Sequence, residues 1–88
     1  MSIELINYRA NYARVDLGDL SIYFSYDVPV AFSHGTPSIR TVRENLWGAR
    51  TGEHIDNIDG GGAEARSQRV SSDEFGDALR RALTDWNA

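Results

Sequence analysis

Cysteine and lysine are both missing from these 88 residues, and each absence removes a chemistry. Without cysteine there are no disulfides, no thiolate nucleophile and no sulfur-ligated zinc. Without lysine there is no Schiff-base catalysis. All nine basic residues are arginine, a bias that points to a GC-rich coding background, since exposed positions accept either cation. No apolar run approaches the ~20 residues that span a bilayer. The opening Met1-Ser-Ile-Glu-Leu has neither a basic leader nor a long apolar region, so a cytoplasmic location without membrane attachment is expected. Proline is scarce, with two residues, and one of them, Pro29, interrupts the longest apolar pattern in the chain.

That pattern is what the sequence does have. Leu20, Ile22, Phe24, Tyr26, Val28, Val30 and Phe32 share one parity, and strict alternation places them on one face of a strand. A straight strand of that length would overrun so small a domain, so the chain has to turn, with Asp27-Val28-Pro29 as the expected place. Upstream, residues 3–8 and 12–17 read as two strands, and Gly18-Asp19 as a hairpin turn into the 20–32 stretch. Downstream, His34-Gly35-Thr36-Pro37 is a turn signal, and residues 38–47 resume extended character around Ile39, Val42 and Leu46.

Thr51 is a candidate cap for a short helical turn near 52–58, in which Ile55 and Ile58 share a face, and Gly60-Gly61-Gly62 ends it. Residues 65–70 read as one more extended piece. Ser71-Ser72-Asp73-Glu74 has the form of a capping box. The following helix, to about Trp86, carries an apolar stripe of Phe75, Ala78, Leu79, Ala82, Leu83 and Trp86. Gly76 within it predicts close approach of a neighbour. The expected fold is a single α+β domain over 1–88. It consists of an antiparallel meander of about four to five strands with one C-terminal helix on one face. Phe24, Val30, Phe32, Phe75, Leu79 and Leu83 are the expected shared core.

Functional groups are sparse. His54, Asp56 and Asp59, with Glu53 beside them, form the one cluster suited to metal or acid–base chemistry, which makes a metal-dependent hydrolase one alternative function. Its spacing is poor. Aligning Gly60 with the glycine of an EF-hand loop puts Ile55 first and Arg66 last, where carboxylates are needed, and His34 lies in a distant turn. No Gly-x-Ser-x-Gly elbow or Walker loop is present. No catalytic, cofactor-binding or metal-ligating set is therefore expected, and His54 reads as a structural histidine bonded to backbone or a nearby carboxylate. Tyr23, Arg40 and Arg43 offer an aromatic and cationic face, and a nucleic-acid-binding module is the second alternative. The net charge of −4 opposes it, because duplex binding draws on clustered positive charge.

Tyr23-Phe-Ser-Tyr-Asp-Val-Pro-Val-Ala-Phe32, Arg43-Glu-Asn-Leu-Trp47, Thr51-Gly-Glu-His-Ile-Asp-Asn-Ile-Asp59 and the closing Arg69, Glu74-Phe75 and Leu79 together resemble a family of small proteins of unknown function found in tailed phages and related mobile elements. Glu53 stands where that family usually has lysine, and Ala49-Arg50 replaces a more polar approach to Thr51. The resemblance implies a phage or prophage origin and carries no activity, so no functional residue is transferred. The expectation is a small non-enzymatic protein that works by occupying a host or phage protein, as in host takeover or anti-defence. Its expected binding surface comprises Tyr23, Arg40, Arg43, Trp47 and His54. Self-association or binding of a protein partner is expected through a sheet edge or exposed aromatic patch, with a homodimer across the uncovered face of residues 20–47 favoured; the alternative is that residues 48–70 fold back over this face and leave a monomer.

Overall fold

The computed structural model describes residues 3–35 and 40–87, with side-chain surroundings given through Trp86. Five strands, β1 (Ile3–Arg9), β2 (Tyr12–Leu17), β3 (Leu20–Ser25), β4 (Val28–His34) and β5 (Arg40–Val42), form one antiparallel sheet in sequence order. Three helices follow, α1 (Ala49–Asp59), α2 (Ala63–Ser67) and α3 (Ser72–Asn87). The α+β meander expected from the sequence is the fold found. Among the described residues no helix is long and apolar enough to cross a membrane.

The long alternating stretch folds back on itself. Tyr26 adopts a left-handed φ of 58° and donates its N–H to the carbonyl of Asn11 at 2.7 Å, so the reversal falls at Tyr26-Asp27, just before the expected turn. Tyrosine tolerates that conformation poorly; the hydrogen bond to the neighbouring hairpin helps hold it. Within the β3–β4 ladder the register slips, with Tyr23 opposite Ala31 but Phe24 opposite Pro29. Val30 is the extra residue. A bulge of this kind re-aims side chains, and it moves Val30 out of the core where parity had placed it.

Both sheet faces are covered, each by its own helix. On one, Leu20, Ile22 and Phe32 pack with Phe75 and Ala82 of α3, with Phe24, Leu79, Val70 and Trp86 partly buried around them. On the other, Tyr12, Tyr23, Val30, Ala31 and Val42 pack with Ile55 and Ile58 of α1. The six residues expected to share one core are thus divided. Val30 belongs to the α1 side, and Leu83 remains 37% exposed on the outer flank of α3.

Local signals at the C-terminus hold. Glu74 N–H bonds to Ser71 Oγ at 3.2 Å, the cap that the Ser-x-x-Glu spacing predicts. Gly76 is different: a Cβ there would meet nothing within 4 Å, so no close approach requires it. The segment expected to be extended at 65–70 is instead the short helix α2 followed by a single parallel bridge between Arg43 and Val70. Extended structure in 38–47 is confined, among the described residues, to β5 and that bridge. The Thr36-Pro37 part of the second turn signal and Ile39 lie outside the described residues.

Candidate binding cleft and its buried floor

The helical turn expected near 52–58 is a full helix, α1, and Thr51 lies inside it instead of capping it. Gly48 occupies the cap position without a side-chain cap. Asn45 organises the approach: its Oδ1 accepts from the N–H of Trp47 at 3.0 Å, and its Nδ2 donates to the Gly48 carbonyl at 2.9 Å. An asparagine bonding to backbone two residues on is a turn-former. Gly52 makes room beside it, because a Cβ there would stand 3.0 Å from Asn45 Nδ2, a tight contact with that side chain.

This start of α1 faces the β3–β4 turn across a cleft of about 540 Å³, whose lining includes Ser25, Tyr26, Val28, Trp47, Arg50 and Thr51. Tyr26 is 50% exposed and Trp47 47% exposed. Arg50 and Asp27 add one charge of each sign to the lining.

Below the lining lies a polar cluster. Ser25 Oγ is 3.0 Å from Thr51 Oγ1 and 2.6 Å from His54 Nδ1. His54 is fully buried, its ring stacked on Tyr12 at 4.9 Å and 11°, while Tyr12 OH donates to Asn57 Oδ1 at 2.9 Å. His54 therefore does organise structure, but through a strand hydroxyl instead of backbone or carboxylate. Its Nε2 has no partner among the described residues. Burial, and then the charge of Arg9, hold its pKa below the ordinary value; Arg50 adds to this and Glu53 opposes it. The imidazole is neutral at pH 7. The sequence signal for this cluster is real but faint: Thr51, His54, Ile55 and Ile58 all lie on the buried stripe of α1, and Ser25 has the odd parity of β3 that faces it.

His54 and the two aspartates do not converge. Asp59 and Asp56 are taken by arginines, with Arg69 Nε at 2.7 Å from Asp59 Oδ2, Arg69 Nη2 at 2.8 Å from Asp56 Oδ1, and Arg66 Nη2 at 3.2 Å from Asp56 Oδ2. Burial pushes the Asp59 carboxyl up, but the Arg69 hydrogen bond and charge, with the Gly61 N–H, outweigh it and hold the pKa below the usual carboxylate value. No group of three or more His, Asp or Glu suited to a metal occurs among the described residues.

Tyr23, Arg40 and Arg43 likewise do not form one stacking face, although Arg40 is exposed. Tyr23 is buried beneath α1, where no base can stack on it. Arg40 lies over the Tyr23 ring at 5.9 Å and donates to the Ile58 carbonyl at 3.1 Å. The Arg43 guanidinium lies between Trp47, at 4.8 Å, and Phe75, at 5.0 Å, and donates to Ser72 Oγ at 2.7 Å and to the Pro29 carbonyl. It ties the sheet to the start of α3, and desolvation lowers its pKa. The face of residues 20–47 expected to stay open for a homodimer is thus occupied by α1. Of the five residues expected on the binding surface, Trp47 lines the cleft, His54 lies behind it, Tyr23 and Arg43 are held in packing contacts, and Arg40 is exposed while bonded to the Ile58 carbonyl. Tyr26, which strand parity places on the apolar face, lines the cleft instead. No family model, no curated protein and no solved structure matches this chain.

Proposed function

We propose that this protein is a non-enzymatic binding protein that occupies another protein through the cleft between Tyr26 and Trp47. What carries the reading is the pairing of two half-exposed aromatic side chains on either side of a cleft of about 540 Å³. Tyrosine and tryptophan are enriched among residues that dominate interface energetics, because they bury large area at low entropic cost and keep a polar handle. The cleft suits an apolar anchor side chain from the partner, with Arg50 and Asp27 available at the lining for polar complements. The resemblance to small phage proteins supports a host or phage protein as the target, in host takeover or anti-defence.

Affinity capture from a bacterial host lysate, repeated with Trp47→Ala, tests this. The wild-type chain is expected to retain a defined partner. Trp47→Ala should weaken that complex by about thirtyfold or more, the range of a hot-spot residue. The loss of one cation–π contact with Arg43 limits the stability cost to ~0.5–1 kcal/mol. A partner held equally well by both would place the interface elsewhere, and no captured partner would overturn the reading.

A further inference from the structure

The two edges of the sheet differ. At β5 the edge is short and closed: Val70 N–H bonds to the Val42 carbonyl at 2.9 Å, and Glu44 N–H bonds to the Val70 carbonyl at 2.9 Å. At β1 the edge is long, and every residue but Ile6 is exposed. Ile3 is 69% and Leu5 63% exposed. They lie opposite Leu17 and Val15 of β2, both only half-buried, so an apolar strip continues across the two strands. Tyr8 does not relieve it, because its ring stacks on Tyr12 at 4.7 Å and its hydroxyl accepts from Arg14 at 2.9 Å on the α1 side. A long edge strand with unpaired backbone groups and apolar side chains is a template for another strand.

We propose that a second copy of this chain occupies that edge. The two β1 strands pair antiparallel about a two-fold axis at Leu5, joining both sheets into one. The argument for a copy, as against an unrelated strand, is self-complementarity. The ladder of β1 is regular from Ile3 to Asn7 and shifts register only beyond it, and Leu5 is the centre of that regular segment. Antiparallel pairing there sets Leu5 against Leu5 of the partner subunit, Glu4 against Ile6 and Ile3 against Asn7, keeping each pair on a common face. A parallel, in-register pairing would instead set Glu4 directly against Glu4 and Arg9 directly against Arg9 across the interface. Closed two-fold pairing consumes both open edges and leaves none for further growth. This interface is separate from the cleft, so either can fail without the other.

Sedimentation equilibrium over a concentration series reads the proposal. The wild-type chain is expected to show a dimer. Leu5→Lys should raise the dimer dissociation constant by about a hundredfold or more, since both copies lose a buried leucine at once, while its denaturation midpoint matches the wild type at concentrations where the wild type is monomeric. The absence of cysteine gives a geometric check: Leu5→Cys should cross-link to a covalent dimer under mild oxidation, and Tyr26→Cys should not. A strictly monomeric mass at all concentrations, a dimer unaffected by Leu5→Lys, or equal cross-linking of the two cysteine variants would each overturn it.

Discussion

Phe75→Ala is expected to cost about 3–5 kcal/mol, the range for removing a large buried aromatic ring and leaving part of its volume empty. That is a large share of the ~5–15 kcal/mol that holds a domain together, so the variant should be unfolded or close to it at 25 °C. Phe75 is almost wholly buried and meets three elements at once. Its ring stands edge-on to Phe32 of β4 at 5.7 Å, it lies under the Arg43 guanidinium, and it heads the apolar stripe of α3. Leu83→Ala provides the contrast, with an expected cost below ~1 kcal/mol because the side chain is already partly in solvent. Urea denaturation of the two variants beside the wild type separates these values. Equal effects would mean that α3 is docked on a different stripe.

Stability should fall on acidification well before the carboxylates are fully protonated, and His54 is the cause. Its folded pKa is depressed by burial, so the folded protein excludes a proton that the unfolded chain accepts near the ordinary value of 6.5. Above that pH both states are neutral and His54 adds no pH dependence. Below it the unfolded state binds more protons, and stability is lost at a rate approaching about 1.4 kcal/mol per pH unit until the folded pKa is reached. Asp59, also depressed, contributes in the same direction only near and below pH 4. The His54 effect therefore sets in below pH 6.5 and ends where the depressed folded pKa is reached. In His54→Gln it should vanish, so the difference between the wild-type and variant stabilities should shrink steadily across that window. Parallel curves would mean that the imidazole is not buried neutral against Ser25.

The strands, the hairpin at Gly18-Asp19 and the cap at Ser71 were legible because their signals are local: alternation, a turn residue, a Ser-x-x-Glu spacing. The reversal at Tyr26 was misplaced by a residue or two because a tyrosine in the left-handed region is stabilised by the Asn11 carbonyl, a partner no local pattern reveals. Parity failed at Val30 for a related reason, since one extra residue in the β3–β4 ladder shifts which face a side chain takes. The larger omission was α1. Gly52 weakens its propensity, and its stability comes from laying Thr51, His54, Ile55 and Ile58 on the sheet. Reading it as a short turn left the Tyr23 face bare and invited the dimer and nucleic-acid readings there. The candidate site was only half visible: Trp47 and His54 stood out as chemistry, whereas the cleft depends on the tertiary approach of the Tyr26 turn to the start of α1.

Hydrogen–deuterium exchange of the protein, alone and bound to the partner it captures, tests the central claim most directly. The account predicts slowed exchange on binding in residues 26–28 and 47–51, which border the cleft, with β1 changing only as protein concentration changes. Unaltered exchange in both cleft segments, with protection arising elsewhere in the bound state, would contradict it.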